Sequence, residues 1–266
     1  CGLLPRFFCF MIRRPPVLTL ASSSAASDVY KCQGYDIPYT ESRERFQENL
    51  EIILAAWTNE RFSYEGKHYT FNDVCVIPKP YQDPHPPLRM AATTKETFPQ
   101  VGKLGYPVFV GLRGLDRPDL ALLLDDYRKA WKDAGHAGEG DVFLRIPIFV
   151  GATQEGAYAD AEESTMRSYR RMAQNFAASA SNTGATADED RAKRGEALAA
   201  VTYQDLIRDR LAYGSPDGVI AQLKTITQQM GLSGIVAETN VGGLIPREKV
   251  ARSIDLFCKE VVPALR

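Results

Sequence analysis

Three threonine hydroxyls stand close together at one junction of this 266-residue chain. The stretch PHPPLRMAATTKETF, residues 84–98, ends a proline run and sets Thr93, Thr94 and Thr97 behind the small residues Ala91 and Ala92. A helix starting there offers free backbone N–H groups and the positive end of its dipole, an anion-binding arrangement. The hydroxyls would add hydrogen bonds to a phosphate, and the two alanines would let a flat ring come close. Plain capping, with a threonine at the N-cap and Glu96 nearby, suits the same residues. A second polar group closes the stretch GLSGIVAETNVGGLIP, where Glu238, Asn240, Gly242 and Gly243 follow a short apolar run. Arg113, in VGLRG, holds a comparable place after another apolar run, and a surface loop is its alternative reading.

The remaining reactive side chains offer less. His68 falls in a hairpin, His85 lies between prolines, and His136 ends a helix in DAGHAGEG, where it is expected to face solvent and favour the dipole. None is placed as a base, so the catalytic residues are left unassigned. Cys1, Cys9, Cys32, Cys75 and Cys258 form no CxxC pair and no cluster with histidine, which argues against a zinc site and against a disulfide framework. No metal is expected. Net charge is −1, which points to neither nucleic acid nor an acidic membrane as a partner. No apolar run approaches the ~20 residues of a membrane span. A cytoplasmic setting is the expectation.

The elements that must hold these residues follow from periodicity. Thr40 can cap an amphipathic helix carrying Phe46, Leu50, Ile53, Leu54 and Trp57. Phe62, Tyr64, Tyr69 and Phe71 alternate about Glu65-Gly66 and predict a hairpin, with Gly66 at positive φ. Strands are then predicted over 88–92, 107–111, 143–150 and 235–238. Helices are predicted over 94–104, 118–134, from a Thr153 cap to about Phe176, over 191–211, and from Pro246 to near Val262. Residues 176–190 read as a long loop, which could close over a bound ligand. Strands alternating with helices imply right-handed βαβ units and a parallel sheet. Residues 1–33 carry no period and too short an apolar core for a secretory signal. They resemble translated sequencing-adapter read-through, so the native domain is expected over 34–266, incomplete at its N-terminus.

The stretch from TESRERF to TTKETF is similar to the luciferase-like monooxygenase family, the flavin-dependent barrel enzymes related to bacterial luciferase. The marks are the helix ending in AAWT, the hairpin FSYEGKHYTF, the run PKPYQDPHPP before a strand, AYGSPDGVIAQL, and the closing GGLIPREKVARSIDLFCKEVVPALR. The resemblance implies an α/β fold of the TIM-type (β/α)8 barrel. About four core parallel strands are visible, so the chain looks like the C-terminal half of a barrel. It implies that Thr93, Thr94 and Thr97, beside Ala92, hold a flavin phosphate; Arg113, by its place just past a strand, is expected to line the cofactor or substrate mouth. Glu238, Asn240, Gly242 and Gly243 would sit at the barrel mouth, facing substrate. The implied chemistry uses reduced FMN from a separate flavin reductase, together with O2, to oxygenate a small organic substrate. Some relatives instead transfer hydride with a deazaflavin. The resemblance places the family's catalytic-face histidine on earlier strands, and its members often pair as homodimers. A non-catalytic flavin- or phosphate-binding fragment is the reading from a different class.

Overall fold

The computed structural model describes residue 38 and residues 41–112, 114–180 and 185–265. The leader over 1–33, the Thr40 cap and Arg113 therefore lie outside the described residues. Two compact units divide the chain: the described stretch up to Leu88 belongs to the smaller, and Arg89–Ala178 with Glu189 onward to the larger.

The smaller unit is built on helix α1 (Ser42–Thr58) and a hairpin of β1 (Phe62–Glu65) and β2 (Thr70–Val74), paired antiparallel with an irregular register between Phe62 and Tyr64. The turn takes its shape from an acceptor. Glu48 on α1 receives the backbone N–H groups of Lys67, His68 and Tyr69 at 2.9–3.2 Å. Gly66 is absent from the positive-φ positions, which corrects the expectation made for it. What it supplies is room, because a Cβ there would run into the Glu48 carboxylate. His68 stands between Glu44 at 3.1 Å and Glu41 at 3.6 Å. Lys79, in the proline-rich connector, donates to the carbonyls of Ala56 and Asn59 at the end of α1, a favourable place for a cation. His85 is held in place locally: its Nδ1 lies 2.8 Å from the Pro86 carbonyl and its ring 5.9 Å from that of Trp57.

The larger unit alternates strand and helix: β3 (Met90–Ala91), α2 (Thr97–Leu104), β4 (Val108–Gly111), α3 (Arg117–Asp133), β5 (Val142–Val150) and α4 (Gln154–Ala180). Then come α5 (Ala185–Ala200), α6 (Tyr203–Asp209), β6 (Ala212–Gly214), α7 (Pro216–Met230), β7 (Gly234–Glu238) and α8 (Arg247–Leu256). The last helix continues through a wide turn, Phe257–Val261, to Ala264. All strand pairs here are parallel: β3 with β4, β4 with β5, and both β6 and β7 with β5. Nine-residue β5 serves as the hub, lending Phe143–Pro147 to β7 and Ile148–Val150 to β6.

Five strands stand where about four were expected. The addition is β6, three fully buried residues too short to show alternation. The long loop predicted over 176–190 is corrected too: α4 runs to Ala180 and α5 begins at Ala185, with 181–184 outside the described residues. Alanine explains the difference, since a segment poor in large apolar groups still has high helix propensity. The helix predicted over 191–211 is cut at Thr202, which starts α6 with a reciprocal Thr202–Asp205 capping box. Asp116 caps α3, Ser215 caps α7, and Thr153 receives the Gly156 N–H as expected. His136 does not simply face solvent. Its ring lies 5.1 Å from that of Trp131, its Nε2 is 2.9 Å from the Lys103 carbonyl, and it fills the space beside Gly105.

One face of the sheet is closed. Met90, Val108, Val110, Val142, Leu144, Ile146 and Ile235 are all buried on it. Past Pro147, Phe149 and Tyr213 enter a second cluster with Tyr169, Leu198, Tyr203 and Leu206 from the helices α4 to α6.

Candidate functional site

In register, Ala91, Phe109, Gly111, Phe143, Arg145, Val236 and Glu238 share the other face, because side chains alternate along each strand and partners in parallel strands point the same way. This face is more open: Ala91 is exposed, and Phe109, Gly111, Arg145, Val236 and Glu238 are half-buried. Arg89 lies over the Phe143 ring at 4.7 Å, and the Phe143 and Phe109 rings are 5.3 Å apart. Arg145 Nη2 meets Glu238 Oε1 at 2.9 Å, with the arginine side chain 42% exposed and the glutamate 19%. Sequence reasoning named Glu238, which the structure places on this face, and did not name Arg145 or Arg89. The signal was a lone cation inside apolar β5 and another immediately before β3, legible only once the pairing register is known.

The threonines stand at the C-terminal end of β3. Ala92 is buried and continues the ladder, its N–H donating to the Phe109 carbonyl at 3.0 Å. Thr93 is exposed, while Thr94 and Thr97 are half-buried with their hydroxyls 2.8 Å apart. The predicted helix over 94–104 begins instead at Thr97, after a turn closed by the Thr97 N–H on the Thr94 carbonyl. Glu96 occupies the N-cap position and makes no side-chain cap bond. Capping in the ordinary sense therefore does not account for the threonines. Arg194, on α5, donates to the Thr93 carbonyl at 3.2 Å.

The other strand ends converge on the same side. Asn240 is exposed in a tight turn with Gly242 at φ 85° and Gly243 at φ 76°. Ser164 on α4 donates to the Val241 carbonyl at 2.5 Å and accepts the Leu244 N–H at 2.9 Å. Its neighbour Thr165 lies 3.0 Å from the Tyr213 hydroxyl on β6. Burial pushes the Tyr213 phenol well up, so it stays protonated and can donate. Contacts from α4 and α5 thus reach the C-terminal ends of β3, β6 and β7. In parallel α/β folds that end carries the ligand site. Among the described residues no cluster of histidine, cysteine, aspartate or glutamate could hold a metal, and no helix is long and apolar enough to cross a membrane.

Comparison with known proteins agrees with this architecture. The family model described as luciferase-like monooxygenase matches residues 17–234. The FMNH2-dependent dimethylsulfone monooxygenase of Pseudomonas putida is 26% identical over 242 residues, covering 86% of this chain and 61% of that protein. The chain thus spans about three fifths of that relative's length. The crystal structure of monooxygenase RslO1 from Streptomyces bottropensis superposes with a TM-score of 0.66 at 22% identity, over 89% of this chain and 66% of the other. The coenzyme F420-dependent tetrahydromethanopterin reductase of Methanopyrus kandleri gives a TM-score of 0.60 at 19% identity, over 83% of this chain and 63% of the other. At such identities the two structures speak for the fold: an α/β architecture with a parallel sheet, consistent with part of a barrel.

Proposed function

Because the chain belongs to the luciferase-like monooxygenase family, we propose that it binds reduced FMN at the C-terminal ends of its strands and oxygenates a small organic substrate with O2. One observation carries this reading: the sheet has a wholly apolar face and an opposite face bearing the Arg145–Glu238 pair, with the threonine triplet at its C-terminal edge. The donor set suits a flavin phosphate. The Thr93 hydroxyl, the mutually bonded Thr94–Thr97 pair and the helix start offer neutral donors, and Arg194 brings positive charge beside Thr93. Ala92 leaves room for a ring.

When bound, the reduced flavin supplies the electrons that activate O2, chemistry that no side chain performs. The chain's own residues do the rest. Thr93, Thr94 and Thr97 orient the phosphate. Phe109 and Phe143 exclude water from the sheet face. Arg145, steadied by Glu238, offers N–H donors to the flavin ring and to the substrate beside it, and Asn240, Gly242 and Gly243 border the entrance. A separate flavin reductase would supply the reduced cofactor, and a homodimer is the assembly we expect, in the cytoplasm.

Hydride transfer with a deazaflavin is the second reading, favoured by the fold shared with the F420-dependent reductase. The two predict opposite oxygen dependence. With reduced FMN and dimethylsulfone as a first substrate, the monooxygenase reading expects product only in the presence of O2. Equal turnover under strict anaerobiosis would overturn it.

A further inference from the structure

Resting on the reading of the strand ends as the cofactor site, we propose that Ser164 is a positioning residue that presets the β7 side of the mouth. A serine in mid-helix ordinarily turns its hydroxyl to solvent or back to the carbonyl one turn earlier. Ser164 does neither. It is 2% exposed, and its hydroxyl bridges both flanks of the turn after β7, donating to the Val241 carbonyl and accepting from the Leu244 N–H.

The turn is shaped to receive it. The Gly243 N–H closes on the Asn240 carbonyl at 3.3 Å. Gly242 adopts a left-handed conformation, and a Cβ on it would overlap the Ser164 backbone carbonyl. The turn backbone therefore lies directly on α4, an approach that only glycine allows. Val241 and Ile245 are buried on either side, so the turn cannot slide without exposing them.

Two further contacts make α4 a common reference for the mouth. One turn before Ser164, Asp160 meets Lys249, near the start of α8, at 2.5 Å in a partly exposed pair. One residue after it, Thr165 meets Tyr213 on β6. A single helical stretch, residues 160–165, thus registers the ends of β6 and β7 against each other. The residue whose aim depends on this is Glu238, three positions before Val241, which holds Arg145 on the open face. Removing the Ser164 hydroxyl releases the turn and lets Glu238 and Asn240 wander from the cofactor.

The test compares two serines. Ser233, at the opposite end of the sheet, receives the Val142 N–H at 3.2 Å. Ser164→Ala and Ser233→Ala each remove one such hydroxyl, and FMN binding is read by flavin fluorescence well below the melting temperature of both. Ser164→Ala is expected to weaken FMN roughly tenfold, the scale of a lost supporting contact, with faster hydrogen exchange at the Leu244 amide. Ser233→Ala is expected to leave FMN affinity unchanged. If Ser164→Ala does not fold, Ser164→Cys, which keeps a weak donor, carries the same comparison. Glu238→Gln and Thr97→Val separate the two claims. If both weaken FMN while the Ser164 variant matches Ser233→Ala, the positioning role is overturned and the site stands. If neither weakens FMN, the site itself is wrong, and the positioning role falls with it.

Discussion

At the scale of single residues, two turns are each tied down by one well-placed side-chain oxygen. Glu48 serves three N–H groups of the hairpin turn, and Ser164 bridges the turn at the mouth. Removing such an acceptor leaves donors unsatisfied, which costs more than the bond itself contributes. Glu48→Ala is therefore expected to destabilise the hairpin unit by about 1–3 kcal/mol, measured as a lowered urea midpoint, whereas Glu51→Ala on the same helix should cost less. Little of this was legible in the sequence. Ser164 sits among alanines and glutamates with nothing local to mark it, and Arg145 gains meaning only beside Glu238, 93 residues on. The three threonines were legible because type and spacing coincide in one short stretch.

Among the elements, the helix starts at Asp116, Thr153, Thr202 and Ser215 are fixed by caps encoded within four residues. The Thr202–Asp205 box ends one helix and begins the next. The Thr202 hydroxyl, then its N–H, and more weakly Arg208 hold the Asp205 carboxyl below its ordinary value of 3.8. A folded value below the unfolded one means that the contribution is present above about pH 4 and is lost as the pH falls through the folded value. The melting temperature of the native chain should thus exceed that of Asp205→Asn at pH 6. The gap should close on acidification below about pH 3. A gap independent of pH would deny the carboxylate its role. Other elements were hidden for physical reasons. Strand β6 is three residues long and owes its place to pairing with β5 rather than to any pattern of its own. The end of α4 and the start of α5 are alanine-rich, and alanine marks helix by propensity without marking a buried face. Strand β3 shrank to two residues because its ladder begins only where the Met90 N–H reaches the Pro107 carbonyl.

The chain belongs to the luciferase-like monooxygenase family, its larger unit is built on a parallel α/β sheet, and it covers about three fifths of the length of the dimethylsulfone monooxygenase. The fold class was readable from strand–helix alternation, and the family from the order of several modest motifs. The hub role of β5 was not, since strand order is set by long-range register. The central claim is that the strand ends hold a flavin through its phosphate, with Thr97 among the donors. The most direct measurement is a pair of titrations, FMN against riboflavin, which lacks the phosphate, on the native chain and on Thr97→Val. The account predicts that FMN binds the native chain at least tenfold tighter than riboflavin, about the worth of one charge-assisted hydrogen bond, and that Thr97→Val narrows the gap by weakening FMN alone. Equal affinity for the two flavins, or a gap untouched by the substitution, would contradict it.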